Sequence, residues 1–274
     1  MSYQEEIKKH FEDKKSILFD QKIENGRWQN SEIKYPHILP KEHQILNLLQ
    51  TSRSELNNYI EVNKLKKHIY FHHLNSSQAM CLNFFFPFYE EKELELVLKF
   101  LGFKNEEINY EKTCFEKDSD IEKSYSKYRP TSIDFYLETI SGKQIFFEIK
   151  YTEQEFGKAK QDDIHINKFN EVYKNKLQFI KKEYQQINVF LKNYQILRNL
   201  ICISENSYVV FLYPNRNIKI KNQAEFAKQT MLTDNVLDNF FNKTWEELLS
   251  FAEKNTENQN IKKQLKSFKE KYNF

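Results

Sequence analysis

Glycine is scarce in this chain, with four residues in 274. None forms a glycine-rich phosphate loop, which argues against a P-loop NTPase or a Rossmann dinucleotide enzyme. Cysteine is equally sparse: Cys81, Cys114 and Cys202 are an odd number without metal-type spacing, so neither a disulfide framework nor a zinc site is supported. They read as small buried thiols. An excess of one charge is also missing, because 42 Lys and Arg against 39 Asp and Glu leave a formal +3. That balance cannot argue for a nucleic-acid partner without local clustering. No apolar run approaches the roughly 18 residues of a membrane span, and the opening MSYQEEIKKHFEDKK has no apolar signal region. No membrane partner and a reducing cytoplasm are therefore expected. Internal repeats and low-complexity linkers are absent as well.

Aromatics are plentiful. Twenty-four Phe and 16 Tyr give the chain enough apolar surface to bury a core despite its 30% charged residues. The abundant lysine is discounted, since Lys, Asn and Ile together track nucleotide bias in a source genome.

Residues 1–40 mix charge and aromatics without periodicity and read as an irregular arm. Ile45, Leu48, Leu49, Leu56, Tyr59 and Ile60 then share one helical face, predicting a helix from Lys41 to about residue 66. Asn75 and Ser76 are N-cap candidates for the next helix, with Pro87 stopping or kinking it, and ELELVLKFLGF continues to Gly102. A strand is expected near INYEKTCFE. TSIDFYLE and QIFFEIKY follow as two strands around TISGK, where Gly142 supplies a positive φ. The remainder reads as a lysine-rich helical stretch at about 165–182, a helix over INVFLKNYQILRNL, a strand SYVVFLYP and amphipathic C-terminal helices. The fold class is α/β (α+β), a short mixed sheet flanked by helices with helical N- and C-terminal extensions.

The period of two places Glu148 and Lys150 together on one face of QIFFEIKY, opposite Ile145, Phe147, Ile149 and Tyr151. In SIDFYL, Asp134 likewise stands opposite Ile133, Phe135 and Leu137. A three-residue loop, Ile140-Ser141-Gly142, pairs Thr139 with Lys143 and so Asp134 with Glu148. A two-residue turn would instead set Asp134 against Ile149, which the apolar pattern disfavours. Directly opposed residues have β-carbons about 4.5–5.5 Å apart, and like charges there need a cation between them. Mg²⁺, held by one or two carboxylates with water and phosphate completing its shell, suits that position. Lys150, one pleat on, could orient or deprotonate an attacking water and offset charge on the phosphorane. The triplet of an acid, any residue and Lys carries nothing alone, since it occurs seven times in the chain. Only at Glu148 does it end an aromatic strand that follows a hairpin bearing a facing Asp. A solvated surface pair is the alternative.

These residues resemble the PD-(D/E)XK nuclease superfamily, with Ile133 in place of the frequent proline. HHLNSSQAMCLNFFFP (72–87), SIDFYL (132–137), FFEIKYTEQEFG (146–157) and YQILRN (194–199) look like a bacterial family of restriction-endonuclease-like proteins. The resemblance implies a central four-stranded mixed sheet and Mg²⁺-dependent hydrolysis of DNA, with Mn²⁺ as substitute and RNA not excluded. It makes Asp134 and Glu148 metal ligands and Lys150 the catalytic lysine. A further helix glutamate would be Glu90 or Glu91. The expected division is an arm and helix at 1–66, the nuclease core at 67–215, and a C-terminal helical extension at 216–274.

Other candidates carry a plainer reading beside the functional one. Gln195 and Arg198, one helical turn apart, reach the site or are a structural Gln and a solvent-exposed Arg. Asn75, Ser76, Ser77 and Gln78 turn a helix N-terminus toward a nucleic-acid backbone or form an ordinary N-cap. His72 is a weak site candidate or a core histidine. The resemblance adds Glu153, Glu155 and Gly157 as a closing loop. Lys168, Lys174, Lys176, Lys181 and Lys182 follow a phosphate backbone or mark a solvated face. The expected function is a Mg²⁺-dependent DNA endonuclease of restriction or defence type. A catalytically silent nucleic-acid-binding module and an interaction protein assembled through its C-terminal helices are the alternatives. Double-strand cleavage often needs two active sites, which makes a homodimer a candidate partner.

Overall fold

Turn chemistry at Gly142 sets the centre of the sheet. In the computed structural model, which describes residues 1–19 and 23–274, Gly142 has φ 88°. Its N–H bonds Thr139 O at 3.0 Å, and the Thr139 N–H bonds Lys143 O at 2.9 Å. The loop is thus Ile140–Gly142, and Phe135 faces Phe147 and Leu137 faces Ile145 in the register that loop requires. Five strands form the sheet: β1 (Cys114–Asp118), β2 (Ser132–Glu138), β3 (Gln144–Ile149), β4 (Ser207–Tyr213) and β5 (Phe240–Thr244). They lie in that order, with β1–β2 and β2–β3 antiparallel and β3–β4 and β4–β5 parallel. The sheet is mixed and flanked by helices, as expected, but has one strand more than the resemblance implied. β5 is FFNKT, too short and too weakly alternating to stand out within a stretch that otherwise reads as helical.

The long crossover from β3 to β4 carries helices Asp163–Lys168, Ile187–Lys192 and Tyr194–Leu200. They cover one sheet face: Phe169, Phe190, Leu197 and Leu200 pack with Val209, Phe211, Tyr213 and Phe240 in one apolar cluster. INVFLKNYQILRNL, expected as one helix, breaks at Asn193, where φ −116° and ψ 30° leave the helical region. In the lysine-rich stretch the helix ends at Lys168 and continues as a π-helical turn over Phe169–Tyr173.

Residues 105–245 make this one compact unit, and residues 1–104 with 246–274 make a second. The expected core at 67–215 is therefore shared between them. Its helix Ser77–Glu90 belongs to the second unit, while β5, from the expected helical extension, belongs to the first.

In the second unit the expected irregular arm is largely a helix, Tyr3–Leu18; residues 20–22 of that arm lie outside the described residues. Ser2 and Glu5 form a capping box, and Ile7, Phe11 and Lys15 are buried at spacing four. The charges between them obscure this stripe in the sequence. The helix expected over 41–66 is a 3-10 segment, Lys41–Asn47, followed by a shorter helix, Arg53–Val62. Ser76 caps Ser77–Glu90, which runs on past Pro87 instead of stopping there. Gly102, with φ 97°, terminates Glu95–Leu101. The last helix, Gln259–Tyr272, meets Ser77–Glu90 where Asn83 Nδ2 donates to the Tyr272 hydroxyl at 2.7 Å. Among the described residues no helix is long and apolar enough to cross a membrane.

Candidate active site

The site lies where the sheet ladder gives way to side chains. β2–β3 pairing continues from Phe135↔Phe147 toward Asp134 and Glu148. Asp134 Oδ2, however, takes the Ile149 N–H at 2.7 Å, so a carboxylate caps the end of β3. On the other side, Phe115↔Phe135 and Lys117↔Ile133 place Glu116 opposite Asp134. Glu116 has φ 53°, which interrupts β1, and its Oε2 accepts from the Ser132 hydroxyl at 2.5 Å. Three carboxyl-bearing residues, Glu116, Asp134 and Glu148, thus occupy one row across three strands.

Glu148 and Lys150 are each only 5% exposed. The polar face expected for them is no solvated surface. The Tyr194–Leu200 helix supplies their partners: Gln195 Nε2 donates to Glu148 Oε1 at 2.7 Å, and Asn199 Nδ2 donates to Glu148 Oε2 at 2.7 Å. Lys150 Nζ lies 2.8 Å from Glu148 Oε1 and donates to Gln195 Oε1 at 3.1 Å. The Gly157 N–H bonds Gln195 Oε1 at 2.8 Å, and the Gln195 N–H returns a bond to Gly157 O at 2.9 Å. Gln195 is therefore a clamp joining the helix, the loop after β3 and both charged groups. Behind Lys150, its backbone O accepts from Trp245 Nε1 at 3.2 Å, and its ammonium stands 5.1 Å from the Phe156 ring centre.

Charge in this pocket is unbalanced toward the negative. Burial, then the carboxylates of Glu148 and Glu116, push the Asp134 carboxyl well above its ordinary value, against the pull of Lys150 and the Ile149 N–H. Burial alone would lower Lys150, but Glu148, Glu153 and Asp134 outweigh it and hold the amine above its ordinary value. Lys150 is an ammonium beside carboxyl groups that outnumber it.

The structure brings Asp134, Glu148, Lys150 and Gln195 together and adds Asn199, which sequence reasoning passed over. Its signal was present, since Gln195 and Asn199 are four apart and share a helix face. Arg198 turns elsewhere, its guanidinium 5.1 Å from the Tyr194 ring centre and its Nε buried without a hydrogen-bond partner. Gln78 holds the backbone of its own unit, accepting from His68 N–H at 2.7 Å and donating to Lys66 O at 3.0 Å. Glu90 is exposed in that unit and lines a cavity with Thr51, Glu55 and Lys263. Glu91 accepts from Asn258 and Asn260. In the loop after β3, Glu153 caps the Tyr151 N–H at 2.6 Å, whereas Glu155 pairs with Lys158 on the surface.

A family model described as restriction endonuclease associating with ARP matches residues 9–273. Among curated proteins nothing matches the chain, and among solved structures nothing matches it either.

Proposed function

The chain belongs to the family described as restriction endonuclease associating with ARP, and from that membership we propose a metal-dependent phosphodiesterase of PD-(D/E)XK type that cuts DNA in restriction or defence. The observation that carries this reading is the row formed by Asp134 and Glu148 with Lys150 one pleat beyond. Here the carboxylates outnumber the lone ammonium, and burial followed by that surplus raises Asp134.

The donor set fits a hard divalent cation. Glu116 shares the row, but among the described residues no three His, Cys, Asp or Glu side chains converge on one ion position, so the candidate carboxylates are Asp134 and Glu148. One or two carboxylates, with water and substrate phosphate filling the remaining positions, is the pattern Mg²⁺ takes, unlike the closed nitrogen and sulfur sites of Zn²⁺. Asp134 and Glu148 would hold Mg²⁺, or Mn²⁺ in its place, and the ion would supply Lewis acidity toward a phosphodiester. Lys150 as an ammonium offsets the charge that grows on the phosphoryl oxygens. Gln195 and Asn199 fix the Glu148 carboxylate, so that it need not reorganise during the reaction. Phe156, itself buried, stands 5.1 Å from the Lys150 ammonium. Because one chain carries one such row, we include a homodimer for double-strand cleavage.

Supercoiled plasmid incubated with the protein and Mg²⁺ or Mn²⁺ tests the reading. Nicked or linear product is expected with either ion and none in EDTA. A purified, folded protein that leaves plasmid, linear duplex and RNA intact with both ions would overturn it.

A further inference from the structure

The block HHLNSSQAM falls in the unit of residues 1–104 and 246–274, away from the carboxylate row in sequence and in unit, and its first residue, His72, lines a cavity there. Three backbone segments are pinned around it. The Gly26 N–H bonds Ile38 O at 2.7 Å, the Leu39 N–H bonds His72 O at 2.9 Å, and the Leu74 N–H bonds His37 O at 2.9 Å. Gly26 is required for this frame, because a β-carbon there would meet Leu39 O at 2.1 Å. The short ladder Gly26–Arg27 with Lys34–Tyr35 is thereby held against the strand-like 38–39 segment. Between these pieces lie a cavity of about 390 Å³ and a neighbouring one of about 260 Å³, both lined by Gln29, Lys41 and His72.

The lining has the chemistry of a nucleotide site. His72 is 3% exposed, and its Nε2 finds no partner of good hydrogen-bond geometry although the backbone carbonyls of Arg27 and Ile69 lie near the ring, a costly state for a polar atom in an interior. Arg27 and Lys41 are exposed cations at the larger cavity. Among the described residues neither makes an ion pair, whereas the charge of Lys34 is taken up by Glu24 at 2.8 Å. The smaller cavity is walled by Tyr70, which stacks on Trp28 with centroids 4.8 Å apart and rings 30° from parallel. Asn30 and Glu42 add neutral and acidic acceptors. A bare anion has no use for an aromatic wall and a carboxylate, and an apolar ligand has none for two exposed cations. A flat base with amine and carbonyl edges joined to a phosphate uses all of them.

We propose that this cavity binds a single nucleotide, its base along the Tyr70 ring that Trp28 backs, with its edge toward His72 and Gln29, and its phosphate at Lys41 and Arg27. The nucleotide is either free or part of a nucleic-acid strand. The site belongs to the other unit from the carboxylate row and stands whether or not that row cleaves DNA.

Trp28 gives a direct readout, because the only other tryptophan, Trp245, is fully buried in the other unit. The full chain in EDTA, which removes any metal-dependent cleavage, is titrated with each of the four deoxynucleoside monophosphates, a short single-stranded oligodeoxynucleotide and inorganic phosphate, followed by tryptophan fluorescence. Saturable quenching by at least one nucleotide or by the strand is expected. It should be lost in Trp28→Phe and weakened about tenfold or more in Lys41→Glu, a fold change of ten corresponding to about 1.4 kcal/mol. Lys41 is exposed, so that variant keeps the fold, and Asp134→Asn should leave the quenching unchanged. Tighter binding of the strand assigns the nucleotide to nucleic acid; equal or tighter binding of a monophosphate assigns it to the free pool. No saturable response to any nucleotide or strand overturns the proposal. So does an affinity matched by inorganic phosphate, or one indifferent to Lys41→Glu.

Discussion

Asn199 Nδ2 donates to Glu148 Oε2 at 2.7 Å, matching the bond from Gln195 Nε2 to Oε1 of the same carboxylate. Both donors come from one helix face, so the helix orients the carboxylate as a whole. Asn199→Ala leaves Oε2 buried without its donor, at a cost of about 1–3 kcal/mol. The residue acts through Glu148, and loss of such an outer partner typically lowers metal affinity or turnover about 10–100-fold. The variant should fold, bind Mg²⁺ more weakly by calorimetry, and cleave more slowly at saturating metal. Cleavage and metal affinity both equal to the parent protein would remove Asn199 from the site.

Lys150 and Asp134 should respond in opposite ways. Lys150 is the buried partner of Glu148, and removing one member of such a pair costs about 3–5 kcal/mol. Lys150→Ala is therefore expected to melt earlier without metal and to lose turnover, while retaining much of its Mg²⁺ affinity. Asp134→Asn keeps an acceptor for the Ile149 N–H and removes a carboxylate pushed well above its ordinary value. A raised folded pKa contributes stability below the unfolded value of about 3.9 and loses it as pH rises through the folded value. The Asn variant should thus melt higher than the parent at neutral pH without metal, the gap closing near pH 3.5. It should bind Mg²⁺ poorly. Equal melting of the two proteins across that range would deny the carboxylate repulsion, and undiminished cleavage by either variant would deny the mechanism.

The register and the acid, acid and lysine set were legible because they rest on local rules: alternation along two strands and a glycine-dependent turn. Glu116 was not legible, since its place opposite Asp134 comes from a non-local pairing of β1 through a residue with positive φ. The burial of Glu148 and Lys150 was missed for a related reason. Period two says which side chains share a face, but not whether a helix from 45 residues downstream will cover that face. The helix Tyr3–Leu18 was obscured because its stripe of Ile7, Phe11 and Lys15 ends in a charged residue. Lys15 is buried by its stem, while its ammonium bonds Glu24 O at 2.8 Å.

A second buried ion pair lies in the same unit as Glu148 and Lys150. Glu122 is fully buried, with Lys168 Nζ at 2.8 Å and Thr131 N–H, Thr131 Oγ1 and the Tyr173 hydroxyl all donating to it. Burial alone would raise its pKa, but Lys168 and Thr131 outweigh that and hold it below the usual carboxylate range. Lys168→Met should destabilise by about 3–5 kcal/mol by leaving the carboxylate uncompensated. Adding Glu122→Gln should recover much of the loss. Denaturant melts of the single and double variants check this, and equal destabilisation in both would mean the pair is not the source.

Histidines give residues 1–104 with 246–274 an acid-sensitive core. His37 and His73 are 6% and 4% exposed. Burial, with nearby lysines, lowers His37 to about 4, and burial, with the neighbouring His72 and His37, lowers His73 to about 3. A depressed folded pKa means the native state binds the proton less readily than the unfolded chain, whose histidines titrate near about 6.5. The associated stability is present above that value and is lost as pH falls through 6.5 toward the folded values, at about 1.4 kcal/mol per pH unit for each group. Melting followed by the fluorescence of Trp28, which lies 5.0 Å from the His73 ring, should therefore fall steadily between pH 6.5 and 4. His37→Gln should flatten that slope, because the amide stays neutral across the range. An unchanged slope in His37→Gln would show that its ring is solvated in solution and that the acid sensitivity arises elsewhere.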